Sequence, residues 1–89
     1  MARVIFTPHL RRHIGMTDAE APGRTVRDVL EAVFMEHDQV RGYVLDEQNA
    51  VRKHVTIFIG AERIKDRTHL SDPVPENGEI YVLQALSGG

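Results

Sequence analysis

The sequence predicts an α+β domain in which one main helix packs across one face of a mixed sheet of four to five strands. Three observations carry that expectation. The stretch TVRDVLEAVFMEH places Val26, Val29, Leu30, Val33 and Phe34 at i, i+3, i+4, i+7 and i+8, which is the apolar stripe of an amphipathic helix. ARVIFT, HVTIFI and EIYVLQAL are short, rich in β-branched and aromatic residues, and alternate in polarity as half-buried strands do. At 89 residues with no cysteine, the chain has room for one domain and must hold it together by packing alone.

Taken in order, residues 2–7 form the opening strand, which Pro8 ends by removing a backbone donor. HLRRHIGMTD carries turn chemistry at Gly15 and leads into a weak alternation. Thr17, Ala19 and Ala21 lie on one face there, with Asp18 and Glu20 on the other. Small inward residues with outward acids mark a guarded sheet edge. The Ala-Pro-Gly at 21–23 breaks that strand, and Thr25 then caps the helix, with Asp28 three residues on facing its positive end.

After the helix the pattern predicts a short strand at residues 43–45, a polar turn at 46–49 and a longer strand at 54–59. In the longer strand Val55, Ile57 and Ile59 face one way, and Thr56 and Phe58 the other. Gly60 and Ala61 turn tightly into residues 62–64. HLSDPVPENGE, with Pro73, Pro75 and Asn77-Gly78, is turn-rich and holds at most one short helical turn. The last strand, residues 79–86, sets Ile80, Val82 and Gln84 against Tyr81, Leu83 and Ala85. A single main helix covers one face only, so Phe58, Tyr81 and Leu83 on the other need a loop or a partner, with Leu86 exposed beside them. The expected division is a domain over residues 1–84 and a flexible Gly-Gly tail over 85–89.

Composition removes several functions. Thirteen acids against eleven Lys and Arg leave a net charge of −2, which is no footprint for nucleic acid, and pairs such as Arg11-Arg12 read as a mixed solvated surface. No apolar run approaches the roughly 20 residues that span a bilayer, and the opening residues are too short in their apolar run for a secretory signal. A cytoplasmic protein, monomeric when free and without membrane partners, is expected. Without cysteine there is no thiolate metal site and no thiol nucleophile. His9 and His13 have i, i+4 spacing but no third ligand nearby, so no metal is expected. Leu70-Ser71-Asp72 reverses the Asp-Ser-Leu order on which acyl carriers mount their prosthetic arm. No serine and histidine stand in a catalytic context either, so the chain reads as a substrate of enzymes and not as an enzyme.

Three segments together resemble the ubiquitin-like β-grasp sulfur carriers of the ThiS/MoaD group: GRTVRDVLEAVF, HVTIFIGAERI and the terminal YVLQALSGG. The middle segment is similar to the family's H-V-x-I-F-V-N-G-x-x-I, with Gly60-Ala61 where Asn-Gly is usual. If Ala61 takes a positive φ, that turn carries about 1 kcal/mol of strain. The proline that many molybdopterin-type members carry before the glycines is absent.

The resemblance implies a β-grasp fold and a function. An E1-like (ThiF/MoeB-type) adenylating enzyme uses ATP to activate the carboxylate of Gly89, next to Gly88, and no cofactor is bound by the carrier itself. A sulfur donor then converts the adenylate to a thiocarboxylate for a sulfur-accepting enzyme. Phe58, Tyr81, Leu83 and Leu86 are the expected partner-binding residues. Two alternatives share parts of this reading: a protein modifier conjugated through Gly89 to lysines, and a β-grasp interaction module whose glycines are incidental.

Overall fold

The computed structural model describes residues 1–15 and 18–84, together with the backbone but not the side chains of His9 and His13. The elements in chain order are β1 (Ala2–Phe6), α1 (Pro8–Ile14), β2 (Asp18–Ala21), α2 (Val26–Glu36), α3 (Asp38–Val44), β3 (Val55–Ile59), β4 (Glu62–Arg63) and β5 (Glu79–Gln84). The five strands make one sheet in the order β2-β1-β5-β3-β4. β1 and β5 run parallel at its centre, and every other neighbouring pair is antiparallel. The mixed sheet with helices on one face agrees with the expected architecture.

Alternation decides which residues face the helices. Val4 and Phe6 of β1, Ile57 of β3, and Ile80 and Val82 of β5 are all fully buried. Opposite them α2 buries Val26, Val29, Leu30, Val33 and Phe34, the stripe read from the sequence. The Thr25 hydroxyl accepts a hydrogen bond from the Asp28 amide at 3.2 Å, satisfying one of the free donors of the first turn. β2 is the sheet edge, with Asp18 and Glu20 exposed and Ala21 buried, as its small and acidic residues indicated; Thr17 lies outside the described residues.

Two expectations are corrected. Pro8 does end β1, but it also opens α1, because its fixed φ and missing N–H suit the first helical position after an extended Thr7. Leu10 and Ile14 are the buried side of this helix, and Gly15, at φ 73°, closes it by donating its amide to the Arg11 carbonyl at 2.8 Å. Residues 43–45 are likewise not a strand. Tyr43 and Val44 end α3, and only Leu45 bridges across the following turn, to Val51. Val40 and Val44 stand one helical turn apart and are both buried, so the i, i+4 pairing outweighs the β-propensity of the individual residues.

The loops are held by side chains acting as acceptors. Asp66 takes amide hydrogens from Thr68, His69 and Ser71 and the hydroxyl of Ser71, and Asp72 takes the amides of Lys65 and Asp66. With so many donors stabilising the charged form, led by the His69 amide, the Asp66 carboxyl is lowered to about 2. This cage bends the chain so that Ile64, Leu70 and Val74 reach the core from a segment without regular structure. On the other side, Arg27 donates to the carbonyls of Asn49, Thr68 and His69, while Glu31 pairs with both Arg27 and Arg41. α2 is thereby tied to both loops.

Candidate functional site

The face of the sheet turned away from the helices is built by the same register. Phe58 on β3 lies opposite Tyr81 on β5, Thr56 lies opposite Leu83, and Ile5 on β1 lies beside Tyr81 from the other side. Strands spaced about 4.8 Å apart bring such partners into direct contact, so these side chains form one stripe across β1, β5 and β3. Phe58, Tyr81 and Leu83, with Thr7, Gly60, Ala61 and Glu79, line an open depression of about 650 Å³. Each of the three is half-buried, because each covers part of its neighbours while its outer edge meets solvent.

Charged groups surround the stripe, and they are mutually engaged. Arg3 pairs with Glu20 at 3.6 Å, and the Arg63 guanidinium lies 5.9 Å from the centre of the Phe58 ring. The Tyr81 hydroxyl donates to the Glu79 carboxylate at 2.8 Å. That hydrogen bond, with smaller contributions from desolvation and the Glu79 charge, raises the phenol above its ordinary value. At the lower end of the depression Gly60 takes φ 61° and donates its amide to the Glu79 carbonyl at 2.9 Å. Glycine, and not Ala61, occupies the left-handed position, so the turn is free of the strain that a positive φ at Ala61 would bring.

Of the residues picked from the sequence, Phe58, Tyr81 and Leu83 are thus brought together, while Leu86, Gly88 and Gly89 lie outside the described residues. Ile5 belongs to the stripe and was missed. The signal was present, since burial of Ala2, Val4 and Phe6 turns Arg3 and Ile5 outward. The reversed serine motif is structural, with the Ser71 hydroxyl spent on Asp66. Among the described residues no group of three or more His, Asp or Glu is placed to hold a metal ion, and no helix is long and apolar enough to cross a membrane.

No family model matches the sequence, and no curated protein matches it. Solved structures do. A chain of the Amycolatopsis orientalis BexX/CysO complex has a TM-score of 0.84 at 22% identity, covering 100% of both chains. Mycobacterium tuberculosis CysO, described as an antigen, gives 0.81 at 18%, covering 97% of this chain and 100% of that one. Small archaeal modifier protein 1 from Methanosarcina acetivorans gives 0.81 at 20%, with 99% and 95% covered. The likeness covers 95% or more of each chain in all three comparisons. The chain therefore has the ubiquitin-like β-grasp fold that the sequence resemblance implied.

Proposed function

We propose that this chain is a sulfur carrier whose Gly89 carboxylate is adenylated by an E1-like enzyme and then converted to a thiocarboxylate. The observation that carries the reading is the apolar stripe on β5, the strand that continues in sequence into Gly88-Gly89. A docking face on the strand that leads in sequence to a reactive terminus would let a partner grip the former while acting on the latter.

The chemistry follows from the carboxylate. With a pKa near 3.5 it is ionised at neutral pH and a poor electrophile. Its oxygen attacks the α-phosphorus of ATP, pyrophosphate leaves, and the acyl carbon then accepts sulfur from the donor as AMP departs. ATP is the substrate of the activating partner. Glycines without Cβ can thread a narrow channel and leave the acyl carbon open to attack. Residues 85–89 reach at most about 17 Å when extended. Ordering them costs on the order of 1 to 2 kcal/mol each. Burying the exposed parts of Ile5, Phe58, Tyr81 and Leu83 offsets part of that, at about 25 cal/mol per Å² of apolar area.

Deleting Gly89, or adding one residue after it, is expected to abolish ATP–pyrophosphate exchange by the E1-like enzyme while leaving the melting temperature unchanged. Activation of the extended form without trimming would overturn the proposal. A second reading is a modifier joined through Gly89 to lysines, and its support is the likeness to small archaeal modifier protein 1. The two separate by mass spectrometry of the protein from cells. A carrier shows one oxygen replaced by sulfur, whereas a modifier shows heavier adducts that resist hydrolysis. Full activity of a Gly88-Gly89 deletion would instead favour an interaction module.

A further inference from the structure

Arg11-Arg12 and Arg52-Lys53 are far apart in sequence, but the topology brings their segments to the same end of the sheet. α1 follows the upper end of β1 and packs against β5 and α3. Residues 52–54 lead into β3, whose first residue, Val55, lies opposite Gln84, the last of β5. Arg52, Lys53 and His54 share a depression of about 330 Å³ with Gln84, Tyr43 and Asp46. Two basic segments therefore bracket the point at which β5 hands over to residues 85–89.

Of these cations, Arg11 has an acidic partner within ion-pair distance. Arg11 gives its Nε to the Phe6 carbonyl at 2.7 Å and stands 3.9 Å from Asp18, and Arg52 gives its Nε to the Gly42 carbonyl at 2.7 Å. A carbonyl orients a guanidinium without cancelling its charge. Asp46, the acid in the depression, turns one oxygen to the amides of Gln48 and Ala50. Among the described residues Arg12 and Lys53 are exposed and have no acidic partner. At the opposite end of the sheet Glu62, Asp72, Glu76 and Glu79 stand among Arg24, Arg63, Lys65 and Met1, whose ammonium is the fourth cation, so neither sign prevails. In a chain of net charge −2, Arg11, Arg12, Arg52 and Lys53 thus outnumber the nearby Asp18 and Asp46 at the end of β5.

We propose that Arg11, Arg12, Arg52 and Lys53 form a basic collar that docks on an acidic protein surface, namely the rim of the site into which the activating enzyme takes the Gly89 carboxylate. The inference rests on the function proposed above and adds the chemistry of the partner. A protein is favoured over a polyphosphate because the collar adjoins the strand leading to the group that a protein must activate. Charge complementarity of this kind acts mainly on encounter, and steering raises association rates by roughly 10- to 1,000-fold.

The test is ATP–pyrophosphate exchange by the E1-like enzyme of the same organism, with the full chain as substrate and salt as a variable. The double variant Arg12→Glu/Lys53→Glu is expected to lower kcat/KM about 10-fold through KM, with kcat held and the deficit shrinking as salt rises. Arg24→Glu/Lys65→Glu makes the same change in net charge at the other end and is expected to leave KM unchanged. Arg12→Lys/Lys53→Arg keeps the charges and should behave as the parent, and melting curves confirm that each variant is folded. Equal losses in both reversals would make the effect one of net charge and overturn the collar. So would an unchanged KM in Arg12→Glu/Lys53→Glu. Retained exchange with loss of a transfer-RNA gel shift in that variant would reassign the surface to nucleic acid. Absence of exchange with the parent chain would instead fail the carrier reading itself.

Discussion

The two faces of the sheet are made from alternate residues of the same strands, yet they are built to different rules. Towards the helices β1, β3 and β5 present Val4, Phe6, Ile57, Ile80 and Val82, aliphatic or aromatic and fully buried. Away from them the same strands present Ile5, Phe58, Tyr81 and Leu83, half-buried and ringed by engaged charges. One residue of displacement along a strand separates a side chain that holds the domain together from one whose outer edge meets solvent. The contrast makes each face separately breakable.

The largest effect belongs to the inner face. Phe6→Ala leaves a cavity in the core and is expected to cost about 3 to 5 kcal/mol, measured by denaturant unfolding, a large share of the stability of a domain of this size. On the outer face Leu83→Ala should cost about 1 kcal/mol or less in the same measurement, because solvent already reaches the site. Its effect is expected instead on activation, as a raised KM. A loss of stability in Leu83→Ala matching that of Phe6→Ala would erase the distinction between the faces.

Smaller effects sharpen it. Thr25→Ala removes the cap that starts α2 and should cost about 1 kcal/mol by the same unfolding measurement. In Glu79→Gln, titration of phenolate absorbance should show Tyr81 falling back towards the ordinary tyrosine value, since the acceptor that holds its proton has lost its charge. For the parent, the raised phenol contributes stability that is present below the unfolded value near 10 and lost as pH rises through the folded one. Asp66 has the opposite sign. Lowered to about 2 in the fold, it contributes above its unfolded value and loses that contribution as pH falls from about 4 towards 2. Asp66→Asn should therefore flatten the acid limb of a stability-versus-pH curve in that window.

What the sequence made legible tracks how many residues share one periodicity. α2 places five buried residues on one stripe, and β3 and β5 alternate over five and six residues, so each stands out from its neighbours. α1 and α3 have seven residues each and only two apolar anchors in register, Leu10 with Ile14 and Val40 with Val44. Two anchors are too few to outweigh Pro8 read as a terminator or the strand propensity of Tyr43 and Val44. Ile64, Leu70 and Val74 reach the core through the Asp66 cage, a set of loop hydrogen bonds with no period to detect. The stripe was legible apart from Ile5, since finding it required knowing that β1 is the neighbour of β5. The collar was hidden for the same reason, its two halves being joined only by the topology.

The central place of β5 has a mechanical consequence. A motor that grips the chain beyond Gln84 and pulls along the strand loads the ladders to β1 and β3 at once, and it loads them in shear. The bonds must then fail together, whereas an edge strand such as β2 can be peeled from the sheet one pair at a time. The end at which the proposed chemistry would take place is thus also the one by which the domain is hardest to pull apart.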